Sequence, residues 1–493
     1  MTPEDRDPRV RELVFELIDA APAPPPFPEA GVAVTGRVAT RARRPRSWAV
    51  ALLAALLVAG SVAAVVIARR SPAQHPLGPA AAPSVAFVDG RGLVVRAPSG
   101  AETVVTRGPV VTPKWSPSGE WLAYEDSGSV FVVRSDGRHP ISLGDFGTFE
   151  WSPVVDALAT TDKAGVRVWS MHDTAPQSVG IEPQVGGVDS EALSVVWSAD
   201  GTSLAMAMER RDHTGPGAPV DSLWLATDVC RPSAPVECGA PRKLTHIPYT
   251  PGPEDYPLLV TAFGFDDTQV LFWADYIGSS SIEMDGLPLR AVSVDGGKAA
   301  GIATTIVRDS WVGPSPDGSK LLVVRSNGRM VTDLRQLEVC TAPDACRKIA
   351  AAPDVQTLDP AWSPDGKQIA FVRETNASYT PPLVDNGIDW RTKYRNRTLW
   401  IANADGSDPH EVTAAGRGVA DPQFAPDGRS IVFVRDARVW QLDLATGHIE
   451  PLTGSLRTAP TCTFDDCLPD VAPYEGINLW STHYAVKFAE PSH

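Results

Sequence analysis

Residues 362–371 read Trp-Ser-Pro-Asp-Gly-Lys-Gln-Ile-Ala-Phe. An aromatic residue, a Ser-Pro-Asp-Gly turn and an apolar run follow one another within ten positions. Pro presets the backbone before the turn, Asp and Gly tolerate the left-handed step inside it, and the apolar run behind it reads as a buried strand. One such stretch is only a hairpin. Degraded copies of it recur along the chain, at Trp115-Ser-Pro-Ser-Gly119, Trp151-Ser-Pro, Trp197-Ser-Ala-Asp-Gly201, Phe265-Asp-Asp, Pro314-Ser-Pro-Asp-Gly318 and Phe424-Ala-Pro-Asp-Gly428. The seven copies stand 36 to 68 residues apart, a spacing that means a propeller or a solenoid.

Each copy is followed by two further strand-like runs, such as RTLWIANADG and HEVT, which makes a four-stranded unit A–B–C–D. The motif residues therefore read as structural, with the aromatic side chain packed between units, because an Asp repeated from unit to unit is a poor catalytic signal. Residues 84–106 (SVAFVD, LVVRA, TVVT) supply strands B, C and D without an A. The tail NLWSTHYAVKF, near residues 478–488, would provide that missing inner strand and join the chain ends into eight blades. Seven blades, with the tail packed elsewhere, is the alternative.

The motif at Trp362–Phe371 resembles the repeat of TolB-like, or WD40-like, β-propellers, and the resemblance covers roughly residues 84–453. It implies an all-β propeller of four-stranded antiparallel blades and says little about function. Two departures stand out. Residues 1–83 leave no room for the α/β domain that precedes the TolB propeller, and an anchor replaces TolB's free periplasmic state, so a Tol–Pal role is not carried over.

The anchor is Trp48–Ala68, 21 residues without a charge, long enough for the roughly 30 Å hydrocarbon core. Five arginines precede it (Arg37, Arg41, Arg43, Arg44, Arg46) and only Arg69 and Arg70 follow closely, so the positive-inside bias predicts a cytoplasmic N-terminus and an extracytoplasmic body. A retained anchor is expected over a cleaved signal peptide, because the start lies 47 residues upstream and Ser61-Val62-Ala63 is a weak cleavage site. The predicted organisation is a cytoplasmic stub (1–47), a transmembrane helix (48–68), a Pro/Ala-rich linker (69–83) and the propeller (84–493).

In the stub, Asp7-Pro8 caps a predicted helix whose Val10, Leu13, Val14, Leu17 and Ile18 form one apolar stripe. Docking on a cytoplasmic regulatory partner and resting on the membrane surface are the two readings of that stripe. The whole chain carries a net charge of −15, yet residues 1–47 hold eight basic against seven acidic side chains and Arg69 and Arg70 add two positives. The part beyond residue 70 therefore carries −18 and makes a poor partner for nucleic acid, which takes most of its affinity from a cationic face.

All six cysteines lie beyond the anchor in close pairs, Cys230/Cys238, Cys340/Cys346 and Cys462/Cys467, which reads as three short-range disulfides on the oxidising side. Zinc is the alternative, without a C-x₂-C spacing to support it. No cofactor is expected. Successive blade strands are antiparallel, so A–B and C–D turns share one face and B–C and D–A loops the other. The disulfides at 230/238 and 340/346 fall in C–D hairpins. Insertions at 209–221, 275–287 and 373–397 (B–C) and at 246–258 (D–A) fall on the opposite face. They carry Tyr249, Glu254, Asp255, Tyr256, Tyr276, Tyr379, Trp390 and Tyr394, a candidate surface for a protein or peptide ligand. A plug for the channel mouth is the plainer reading.

The enzyme classes that use propellers find little here. There is no G-x-S-x-G elbow, no H-E-x-x-H and no phosphate-binding loop. Asp359 and Asp421 each precede a proline at the start of a strand A; a local turn cap is expected for each, with a channel-facing carboxylate as the alternative. The functional expectation is a non-enzymatic, membrane-anchored, extracytoplasmic propeller that binds or scaffolds protein. An envelope hydrolase and an anti-sigma-like sensor signalling through the stub helix are the alternatives.

Overall fold

The computed structural model describes residues 82–108, 110–163, 165–171, 176–183, 190–210, 220–229, 240–248, 258–274, 286–326, 334–375, 395–456 and 483–488. The expected transmembrane segment, the stub helix and its stripe lie outside them. Among the described residues no helix is long and apolar enough to cross a membrane.

The seven motif-led units each form a four-stranded antiparallel sheet, and an eighth sheet closes the ring. In that eighth sheet, blade 1, strands Ser84–Asp89, Gly92–Arg96 and Glu102–Thr106 take their inner strand from Tyr484–Lys487. Ser84 pairs with Lys487 and Phe87 with Tyr484, as the tail sequence predicted, so the blade number is eight. Blades 2 to 8 then follow in chain order. Their inner strands are Val110–Trp115, Phe149–Trp151, Ser190–Trp197, Leu258–Gly264, Val312–Pro314, Val355–Trp362 and Ala420–Phe424.

The core is spread around the ring, with apolar clusters packed between neighbouring blades. Ala159, Met206 and Trp197 join blades 3 and 4, for instance, and Phe87, Val432 and Tyr484 join blades 8 and 1. Strand B of each blade is covered on both faces, which is why it reads as a continuous apolar run and not an alternating one. Phe87, Phe272, Phe371 and Phe433 occupy the same place in their strands and are fully buried, each worth about 1.5–3 kcal/mol against exposure.

The motif locks the turn between strands A and B. In blade 7 the Ser363 hydroxyl donates to Asp365 Oδ1 (2.7 Å) and accepts from the Gln368 N–H (2.8 Å). Asp365 Oδ1 also accepts from the Lys367 N–H (3.1 Å), and Gly366 takes the left-handed conformation at φ +65°. The Ser363 hydroxyl, followed by the Lys367 contacts, holds the Asp365 carboxyl down at about 2. Asp317 repeats the arrangement in blade 6 with Ser315 and Ser319.

The motif tryptophans do a second job. Inner strands have no neighbour on the axis side, so their outward-facing peptide groups need other partners. Trp115 Nε1 donates to the carbonyl of Ala485 (3.2 Å), Trp151 to Lys114 (2.9 Å), Trp197 to Glu150 (3.1 Å) and Trp362 to Gly313 (2.9 Å). Each acceptor belongs to the preceding blade, so the motif stitches one blade to the next as well as forming its own hairpin. Phe263, Pro314 and Phe424 stand where the other three blades lack the indole; in blade 5 Phe263, and not the Phe265 of the sequence motif, pairs with Val270 at the register of the motif tryptophans.

Candidate functional site

The residues that reach the axis come from the inner strands, and the eight strands build two unlike walls. Blades 2 to 6 surround a cavity of about 670 Å³. On its wall Lys114 and Glu150 occupy the position just before the motif tryptophan of blades 2 and 3, and Asp309 sits in the 3-10 turn Asp309–Trp311 that leads into blade 6.

The Lys114 ammonium pairs with Glu150, donates to the Phe149 carbonyl at 3.1 Å and stands 5.4 Å above the Phe149 ring. Burial works against its charge, but Glu150 and then Asp309 more than offset this, and its pKa is raised. The Lys114 and Glu150 side chains keep 35% and 40% of their exposure, so the wall is wet although protein surrounds it. Asp309 accepts the Thr261 hydroxyl at 2.8 Å. Its pKa is pushed up by the protein packed around it, with Thr261 and Lys114 pulling down and Glu150 adding to the rise. Glu125, and Asp267, whose Oδ2 takes the Ala199 N–H at 2.9 Å, also line the cavity, and burial raises both. Among the described residues, four carboxylates thus face one committed ammonium.

The opposite wall is dry. The expectation of local turn caps at Asp359 and Asp421 is corrected. Both lie within inner strands, at irregularities where the register slips, and both adopt positive φ (45° and 50°). The same step occurs at Thr112-Pro113 in blade 2. That conformation costs about 1–2 kcal/mol, and Asp tolerates it better than most residues. At Asp359 and Asp421 the carboxyls reach across blades instead of capping their own turns. Asp359 Oδ1 accepts from Trp311 Nε1 (2.8 Å), and Asp359 Oδ2 from the Asp421 N–H (3.3 Å). The Tyr484 hydroxyl donates to Asp421 Oδ2 (2.9 Å). Arg308 lies with Nη2 4.0 Å from Asp359 Oδ1, its side chain 10% exposed, and neither Nη atom has a hydrogen-bond partner among the described residues. Burial, then the neighbouring Asp359, pushes Asp421 up to about 6. Burial and Asp421 push the Tyr484 phenol well above its ordinary value.

Cys340 and Cys346 form a disulfide across the C–D hairpin of blade 6, as the spacing predicted, and zinc is ruled out for that pair because the sulfurs are bonded to each other. Cys230, Cys238, Cys462 and Cys467 lie outside the described residues. So do Tyr249, Glu254, Asp255, Tyr256, Tyr276, Tyr379, Trp390 and Tyr394, and in the stub Val10, Leu13, Val14, Leu17 and Ile18. The strand order does place the insertions that carry those aromatics between strands B and C of blades 5 and 7, and between blades 4 and 5.

No protein-family model matches the chain, and no curated protein matches it. Solved structures do. A putative TolB from Agrobacterium tumefaciens matches at 14% identity over 66% of this chain and 87% of its own, with a TM-score of 0.30. TolB from Acinetobacter baumannii matches at 13% over 60% of this chain and 61% of its own (TM-score 0.30). A puromycin hydrolase matches at 14% over 73% of this chain, which spans 55% of that enzyme's length (TM-score 0.44). The fold itself stands on the eight-sheet order described above, independently of these likenesses.

Proposed function

We propose that this chain is a membrane-anchored, extracytoplasmic propeller that binds a protein or peptide, and that the partner enters the cavity walled by blades 2 to 6. The observation that carries this reading is the wall itself. Among the described residues four carboxylates line it, and the one lysine there is already held by Glu150. A partner that inserts a basic side chain or a chain of N–H donors meets Asp309, Glu125 and Asp267 with water to displace but no structure to rebuild. The extracytoplasmic address is supported by the charge asymmetry around residues 48–68 and by the Cys340–Cys346 disulfide, a bond that oxidising compartments preserve. The insertion aromatics would extend the contact at the channel end opposite the Asp-Gly turns.

One observation favours a hydrolytic role as the second reading. Asp421, raised to about 6, stands beside Asp359, and two carboxyls with unlike environments are what general acid–base chemistry uses. Trp311 and Tyr484 cover the pair, and exposures of 6% and 7% leave it little access to a substrate.

The test is crosslinking and affinity capture from native membranes with the full chain, a chain lacking residues 2–36, and the pair Glu150→Gln, Asp309→Asn. The reading expects envelope partners with the first two and their loss with the third. Loss of a cytoplasmic partner on truncation would move the conclusion to the sensor alternative. Capture unchanged by the cavity pair would remove the cavity from it.

A further inference from the structure

The ring closes at one seam, and the two sides of that seam are held by different chemistry. The inner strand of blade 1, Tyr484–Lys487, comes from the far end of the propeller, so the ring holds only while it stays paired with Ser84–Phe87. Toward blade 2 it is tied through backbone carbonyls: Trp115 Nε1 donates to Ala485 O (3.2 Å), and Lys487 Nζ to Gly119 O (2.9 Å). Toward blade 8 Tyr484 makes a polar tie. Its hydroxyl donates to Asp421 Oδ2 (2.9 Å), lies 3.2 Å from the Asp421 carbonyl and accepts from Gln423 Nε2 (3.2 Å).

Among the described residues three charged or titratable groups face Asp421: Asp359 from the inner strand of blade 7, Arg308 from the segment before blade 6, and Tyr484 from the closing strand. One guanidinium therefore serves two buried carboxyls, and it lies beside Asp359. A second negative charge in this site has no full counterion among the described residues, and burying such a charge is costly.

We propose that Asp421 makes the ring seam a pH-sensitive clasp, closed while its carboxyl is protonated and loosened once the carboxylate forms. Burial and then Asp359 lift its pKa to about 6, with Arg308 and Tyr484 pulling the other way. When Tyr484–Lys487 leaves, water reaches Asp421 and the carboxyl returns to roughly its ordinary value near 3.9. The closed seam thus binds the proton more tightly than the open one. Opening releases that proton, so rising pH favours opening. The effect begins near pH 4, where an exposed aspartate ionises, and levels off above about 6, where the buried one has ionised too. Across that whole window the open population grows about 100-fold. The clasp is independent of what the cavity binds.

The experiment is hydrogen exchange on the full-length chain between pH 4.5 and 7, corrected for the intrinsic pH dependence of amide exchange. The reporter is the Val88 amide, which donates across the seam to His483 O at 2.9 Å. Its protection is expected to fall about 20-fold over that interval in the wild type and to stay level in Asp421→Asn. Asp359→Asn removes the neighbouring charge and should shrink the fall by bringing the Asp421 pKa down. A level wild-type profile, or a fall of the same size in Asp421→Asn, overturns the proposal. Where Asp421→Asn does not fold, Asp359→Asn decides: a fall as large as the wild type's overturns the clasp, and a smaller one supports it.

Discussion

The two walls of the channel are made from one repeat and do opposite things with charge. In blades 2 and 3 the residue before the motif tryptophan is Lys114 or Glu150, and the pair stands in a wet cavity with Asp309 across from it. In blades 7 and 8 the same place holds Ala361 and Gln423, and the charge sits two residues earlier, on Asp359 and Asp421. There a left-handed step tucks the carboxyl against the neighbouring blade, behind Trp311 or Tyr484. A displacement of two positions along a strand thus separates a side chain offered to a partner from one spent on holding the ring together.

The largest test of that contrast is Asp359→Ala. It strips Trp311 of its acceptor and leaves Arg308 without its nearest counter-charge, so a loss of about 3–5 kcal/mol is expected in denaturant unfolding. A loss below 1 kcal/mol would mean that this wall is as wet as the other. Next comes the stitching: Trp151→Phe and Trp197→Phe each delete one indole donor and orphan a carbonyl of the preceding blade. Each should cost about 1–2 kcal/mol, measured the same way. Phe263→Leu, at the equivalent position with no indole to lose, measures the packing part alone. The pH comparison sharpens the same point. The stability advantage of Asp421→Asn over the wild type should grow as pH rises from 4 to 6 and then stop growing, because the wild type loses stability as its buried carboxyl ionises. The smallest effect belongs to the wet wall. Lys114→Met should change stability by less than about 1 kcal/mol, since exposed ion pairs contribute little, while altering capture of the partner.

The unequal legibility of the two walls has a physical cause. Blade count, strand order and ring closure follow from a local motif and from the tail that completes blade 1, so they can be read along the chain. Asp359 and Asp421 draw attention because each stands before a proline, but their partners Trp311, Arg308 and Tyr484 lie in other blades, and a turn cap is the natural local reading. Lys114, Glu150, Thr261 and Asp309 span almost 200 positions of sequence and meet only because the ring brings them to one cavity. The single clue to the first two is a charge directly before a motif tryptophan, where Val196 and Ala361 stand in other blades. Asp309 carries no such mark.

The central claim, that the wet wall is where a partner binds, is tested most directly by site-specific photo-crosslinking in native membranes. A photoreactive side chain would be placed at Ala199, exposed on the cavity rim, and in a separate chain at Asp427, exposed on the Asp-Gly turn of blade 8. The account predicts a discrete crosslinked product from Ala199 that is lost when Glu150→Gln and Asp309→Asn are added, and none from Asp427. A product from Asp427 alone, or one from Ala199 that survives loss of both carboxylates, would contradict it.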